Sequence, residues 1–412
     1  MSVSGDAHRG ALQRTMLTGG LLAAAALWLF CAHLLWRSSV PANLHLPHVD
    51  PRTFFSRAFL HRSFTYERFL DLEGLFASVT LLVVLVLYAR HGQRLMSESA
   101  AGRIGTGMML GMLGFAVVWL AQVPFGLLEV WWERRHHVSH QGYVSSVFES
   151  FFSLGGKFLF VCLALAVAMG LAGLTRRWWW ALAAPVFVGL ALLFTFLGVY
   201  LIPGTHAPSD AYVRTDERTL ARIEGIPHTK VVVQDVHRFT TAPNAESVGF
   251  GPTRALILWD TLLDGRFDRR EVDVVMAHEL GHISHRHQLK RVGWLALFLI
   301  PLAALIALVT RRRGGMARPE AVPLALLVFV AAGVFAAPLQ NIVSRREEAE
   351  ADYSALRATR DPQAARDLFV KLARTSMADP NPPSWSYVLY ADHPTIVQRI
   401  AMVDAWQALQ SQ

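Results

Sequence analysis

Within the segment Val274-Val275-Met276-Ala277-His278-Glu279-Leu280-Gly281-His282, three residues have the types and spacing for hydrolysis at a metal. His278 and His282 are four apart. On a helix that spacing places both imidazoles on one face, within reach of one cation. Glu279 lies about 100° further round. From there it can reach a water at the metal without ligating the ion. Zinc lowers the pKa of a bound water toward about 7, and a carboxylate beside it takes the proton as the water attacks a carbonyl carbon. An accidental HExxH is expected in about a few per cent of chains this long, so the setting must carry part of the argument. Val274, Val275 and Met276 supply it, because they give the buried helix such a site needs. Gly281 sacrifices about 1 kcal/mol of helix propensity. A close approach of another chain segment would justify that loss.

A catalytic zinc takes three protein ligands and keeps one position open. Cys31 and Cys162 both sit in apolar runs, so the third ligand must be His or a carboxylate. Downstream stands Ser344-Arg345-Arg346-Glu347-Glu348-Ala349-Glu350-Ala351-Asp352. Glu348 and Asp352 are four apart and share a helical face. One can ligate while the other orients a ligating histidine. The same run also reads as a solvated charged helix, with Glu347 and Glu350 facing water. Spacing leaves the two readings level. His285 competes as a ligand, but His285 and His287 read better as polar residues at a helix end, facing the negative pole of its dipole. His136, His137 and His140 follow an apolar run and read as interfacial.

The elements that must hold these groups are mostly apolar. Charged residues make up 17% of the 412, against about a quarter in soluble domains, and mean hydropathy is +0.33. A bilayer core needs about 20 apolar residues as helix. Seven segments qualify: 16–36, 74–90, 104–128, 155–174, 179–202, 293–310 and 321–340. The net charge of +8 is carried mostly by arginines flanking these runs, which suits membrane interfaces and argues against a nucleic-acid partner. Two polar stretches remain, 203–292 and 341–412, each too short for a comfortable core alone. They are expected to pack together. A helix is expected near Thr215–Ile223, short strands at Lys230–Gln234 and Ala255–Trp259, and a helix over Asp268–Gln288 with Asp268 and Glu271 as its capping pair.

Further motifs give this chain a resemblance to the zinc-dependent CAAX prenyl endopeptidases and their bacterial relatives. Asn244-Ala245, Gly249-Phe250-Gly251, Leu256-Ile257-Leu258 and Asp260-Thr261-Leu262-Leu263 stand in the family's order before HELGH. Ser344, Arg345, Glu348, Ala351 and Asp352 match its SRxxExxAD segment, and His393-Pro394 with Arg399-Ile400 match its HP…RI tail. The resemblance implies Glu348 as third ligand with Asp352 behind it. It implies that the Asn244-Ala245 strand holds substrate backbone by edge pairing, and that His393 and Arg399 assist the tetrahedral intermediate. The chain departs at Glu246, where eukaryotic members place an aromatic, and at Ile283, where they place Trp. Both departures bear on a lipidated substrate more than on the chemistry.

The expected fold is mainly α and integral to the membrane. About seven transmembrane helices are joined to a gluzincin-type zinc metallopeptidase domain with a small β-sheet. The expected division is 1–202 for a membrane domain and 203–412 for a catalytic domain split by the last two spans. The expected activity is hydrolysis of peptide bonds in membrane-associated or lipidated substrates, with one Zn2+ per chain. The alternatives are a membrane quality-control protease, or a transporter or receptor with an incidental HExxH. A multi-pass protein of the cell (inner) membrane is expected. Short loops rich in arginine (Arg90, Arg94, Arg103, Arg176, Arg177 and Arg311 to Arg313) put the catalytic side outside by the positive-inside rule. The eukaryotic family implies the opposite face, and both stay open.

Overall fold

The structure is a computed structural model that describes residues 3–94 and 99–411. Long helices dominate it. They are α1 (Val3–Leu35), α2 (Arg57–His91), α3 (Gly102–Arg135), α4 (Tyr143–Thr175), α5 (Trp179–Leu201), α8 (His287–Thr310) and α9 (Val322–Thr359). Shorter helices α6 (Ala211–Ile223) and α7 (Arg269–Ser284) precede α8. Three more, α10 (Pro362–Thr375), α11 (Ser384–Leu389) and α12 (Ile396–Gln410), follow α9.

Six stretches of the described residues are long and apolar enough to cross a bilayer. One of them, Tyr143–Leu201, has 59 residues. As one helix it would run roughly 90 Å, about three bilayer cores. It instead folds as α4 and α5, parted by a turn where Arg176 takes φ 51°. The seven expected spans therefore correspond to seven helices. Large apolar side chains such as Leu120, Phe152, Leu159 and Phe335 face outward from them, as lipid requires. Inside the bundle, Gly107 and Gly111 on α3 lie against Met169 and Leu165 of α4, the small-residue contact that lets helices approach in membranes.

At the end of the bundle away from the candidate site, the Arg313 guanidinium donates to Ala89 O at 2.6 Å, tying the end of α8 to the end of α2. At the other end the chain after α3 meets the polar segment, where Ser139 bridges Thr240 and Thr241 Oγ1 donates to Val138 O. Several helices are longer than the apolar runs within them. The apolar half of α9 continues without a break into the charged run, so one 38-residue helix carries both.

Strands β1 (Thr205–His206), β2 (Lys230–Gln234), β3 (Ala245–Val248) and β4 (Ala255–Trp259) form a mixed sheet in the order β1-β2-β4-β3. β2 and β4 lie where expected and pair in parallel. Residues 255–258 of β4 are wholly buried, as a central strand covered on both faces must be. One core joins both polar stretches: Val213, Leu220, Leu256, Leu258, Met276 and Leu280 pack with Ala355, Leu356, Leu368, Ile400 and Trp406.

Asp268 caps α7 as expected. Its Oδ1 accepts from Glu271 N at 3.0 Å, and Glu271 Oε2 accepts from Asp268 N at 2.8 Å. The helix ends at Ser284 rather than running to Gln288, because Arg286 takes the left-handed conformation (φ 58°, ψ 38°) and α8 starts afresh at His287.

Candidate metal centre

α7 presents His278, Glu279 and His282 inward, all three buried. α9 crosses it, with Glu348 and Asp352 on the facing side, also buried. The close approach expected at Gly281 is present. A Cβ there would stand 3.3 Å from Ala351 Cα and 3.0 Å from Ser354 Cβ.

Donor atoms of three residues meet at one point. His278 Nε2 lies 3.2 Å from His282 Nε2 and 3.1 Å from Glu348 Oε2, while His282 Nε2 lies 3.4 Å from Glu348 Oε1. Ligands about 2.0–2.1 Å from a tetrahedral zinc stand roughly 3.3–3.4 Å from one another. The separations in this triangle of residues, taken to one or other Glu348 oxygen, lie near that edge, and two imidazoles with one carboxylate are a donor set zinc accepts. Glu279 carries a donor oxygen within 4.8 Å of both imidazole donors. The electrostatics agree. Burial opposes a charge on His278, yet hydrogen bonds to Asp352 and Glu348 raise its pKa to about 10. The Asp352 and Glu348 carboxylates favour positive charge at this point.

Each neighbour is held from behind. His278 Nδ1 donates to Asp352 Oδ1 at 2.9 Å. Asp352 in turn receives Arg399 Nε at 2.8 Å and Nη2 at 2.6 Å, and that guanidinium lies over the Phe369 ring. Arg399 lines the cleft, with Nε and Nη2 engaged on Asp352. His393 Nε2 lies 3.2 Å from Glu348 Oε2, and its Nδ1 meets Asp392 Oδ1 at 2.7 Å. The C-terminal tail therefore folds back over the triangle. Burial pushes the His393 imidazole down, while Asp392 and Glu348 more than offset this and raise it to about 9.

The cleft beside the triangle is lined by Asn244, Ala245, Val275, Glu279, His393 and Arg399, among others. β3 is an edge strand. Trp259 N donates to Asn244 O, which places 244, 246 and 248 in the set paired with β4. Ala245 and Ser247 therefore turn their backbone groups to the free edge. Gln288 Nε2 occupies Ser247 O at 2.5 Å, leaving the Ala245 end of the edge beside the cleft. Glu246 is half-buried nearby, and burial, with Glu279 adding, raises its carboxyl pKa.

Several expectations need correction. Glu347 and Glu350 are buried rather than facing water. Glu347 Oε2 pairs with Arg291 Nε at 2.8 Å, and Glu350 Oε2 with Lys290 Nζ at 3.0 Å. His287 is wholly buried at the start of α8, not a polar residue at the end of α7. His285, by contrast, stands at the end of α7 as expected, with its Nδ1 3.5 Å from Glu350 Oε1. His136 packs edge-on against Tyr66 and tilted against Trp132, and contacts Trp132 O.

The fold is that of a multi-pass membrane protein with a candidate metal centre in its polar part. Residues 208–407 match the profile of Peptidase family M48, a family that is zinc-dependent in general. It is 28% identical over 240 residues to the uncharacterized metalloprotease YhfN of Bacillus subtilis, covering 55% of this chain and 56% of that protein. It is 29% identical over 207 residues to a protease HtpX homolog of Methylibium petroleiphilum, covering 46% of this chain and 72% of that one. The alignment thus takes in little more than half of YhfN. The fold is shared with the crystal structure of S. mikatae Ste24p at a TM-score of 0.71 and 16% identity, over 92% of this chain and 96% of that one.

Proposed function

We propose that this chain is a zinc endopeptidase that cuts peptide bonds at a membrane face. His278, His282 and Glu348 hold one Zn2+. The observation that carries this is the convergence of the two Nε2 atoms, 3.2 Å apart, on the Glu348 carboxylate, whose two oxygens lie 3.1 and 3.4 Å from them, with Glu279 beside them. Zinc held there supplies Lewis-acid polarisation of the scissile carbonyl and makes a water acidic enough to attack. Glu279 takes that water's proton and passes it to the leaving amine. Asp352 fixes the tautomer of His278, and Arg399 fixes Asp352. The free edge of β3 at Ala245, next to Asn244, holds substrate backbone in extended form. His393 donates to the developing oxyanion.

The catalytic unit is residues 203–412, interrupted by the two spans of α8 and α9, and 1–202 is the membrane unit. Substrates are proteins or peptides presented from the bilayer of a cell (inner) membrane, and nucleic acid is not a partner. Glu246 favours a second substrate reading. A carboxylate beside the cleft, where prenyl-directed relatives place an aromatic, suits unlipidated segments of membrane proteins, as in quality control. Elemental analysis of detergent-purified protein, with cleavage of prenylated and unprenylated peptides in liposomes, tests both readings. Protein without zinc, or without cleavage of either peptide, contradicts the proposal.

A further inference from the structure

His282 has a second nitrogen, and its partner is unusual. Nε2 faces the triangle, so Nδ1 points away. It lies 2.7 Å from His287 Nδ1. His287 Nε2 lies 3.0 Å from Glu350 Oε2. His287 is wholly buried and Glu350 nearly so.

The protons in this chain have one consistent arrangement. A histidine that gives Nε2 to a cation keeps its proton on Nδ1. His282 Nδ1–H then donates, and His287 Nδ1 must accept with a bare lone pair. The His287 proton therefore sits on Nε2, where the Glu350 carboxylate accepts it. Glu350 is fixed in turn by Lys290 Nζ at 3.0 Å and by the backbone N–H of Ser39, on the segment after α1. His278 has the corresponding support from Asp352 and Arg399.

The backbone is bent to make this contact. Had α7 continued, His287, five residues beyond His282, would lie about 140° round the helix from it. The left-handed Arg286 breaks the helix there, a conformation L side chains rarely adopt. That break turns His287 back beneath His282.

We propose that His287 and Glu350 are positioning residues for His282. Together they fix the tautomer and ring orientation in which His282 presents Nε2 to the metal. The inference rests on the zinc reading above. It concerns the chain's own residues, so metal affinity tests it without reference to turnover.

The experiment uses full-length protein in detergent and measures zinc affinity by competition with a chelator of known strength. His287→Phe keeps ring volume and removes the acceptor. It should weaken zinc binding about 10–100-fold. His287→Asn places an amide oxygen near the lost Nδ1 and should recover most of that loss. Unfolding temperatures of the two variants after zinc removal should be similar, because packing alone does not separate them. Wild-type affinity in His287→Phe, or equal weakening in both variants, overturns the inference and leaves His287 a packing residue. If His287→Phe does not fold, Glu350→Gln carries the test: affinity should fall severalfold, and unchanged affinity overturns it. Wild-type protein without zinc would overturn the zinc reading itself, a result distinct from zinc-loaded wild type with an indifferent variant.

Discussion

Gly281 and Ala351 are the point of contact between the helix that carries the two histidines and the helix that carries the glutamate. A Cβ on Gly281 would sit 3.3 Å from Ala351 Cα and 3.4 Å from Ala351 O, both backbone atoms that cannot rotate away. The spacing of α7 from α9, and with it the size of the triangle, depends on the missing side chain. Gly281→Val should therefore destabilise the protein by about 1–3 kcal/mol, the usual penalty for overpacking, and lower its zinc content. Thermal unfolding and elemental analysis check this. Wild-type zinc content and stability would show that the helices have room to part.

The acidic run on α9 should divide sharply. Glu348→Ala should strip the zinc. Asp352→Asn should weaken binding about 10–100-fold through His278. Glu347→Ala should give a smaller loss. It releases Arg291, whose Nη2 already lies 3.6 Å from Glu348 Oε1, to compete for that carboxylate. Zinc titration of the three variants gives the ranking, and a larger effect at Glu347 than at Glu348 would contradict the assigned geometry.

These residues also show what the sequence made legible. Local rules sufficed for α7: a capping box, a buried apolar run and two histidines four apart. They sufficed for β2 and β4, whose branched residues stand in short runs between turns. They did not suffice for Glu347, Glu350 and His287. A run such as EEAEAD is usually solvated, and its burial depends on Lys290 and Arg291 of α8 and on Ser39 after α1, all distant along the chain. The break at Arg286 was hidden because nothing in its residue type demands a left-handed backbone. The polarity of His287 and Lys290 at the head of an apolar helix was the available signal.

His393→Phe should keep the zinc and bind substrate nearly normally. It should lower kcat by orders of magnitude, since an oxyanion donor contributes about 3–4 kcal/mol. Steady-state kinetics on a peptide substrate separate kcat from KM. Cleavage at the wild-type rate would leave His393 with only its contacts to Glu348 and Asp392.

Stability should depend on pH through Glu217 on α6. The side chain is buried and Oε1 has no hydrogen-bond partner among the described residues, and burial pushes its pKa up from 4.5 to about 7. A carboxyl raised in the folded state destabilises as pH climbs, because unfolding lets it ionise. The penalty is absent below about pH 4.5, grows through pH 7, and then levels off at about 1–3 kcal/mol. Glu217→Gln should raise the unfolding temperature at pH 8 and change it little at pH 5. Equal shifts at both values would show that ionisation is not the cause.

The most direct test of the central claim is Glu279→Gln in purified, zinc-loaded protein. The substitution keeps size and polarity and removes only the proton acceptor. Zinc content should equal that of wild type while peptide cleavage falls to background. A Glu279→Gln protein that holds its zinc and still cleaves peptide at the wild-type rate would contradict the account.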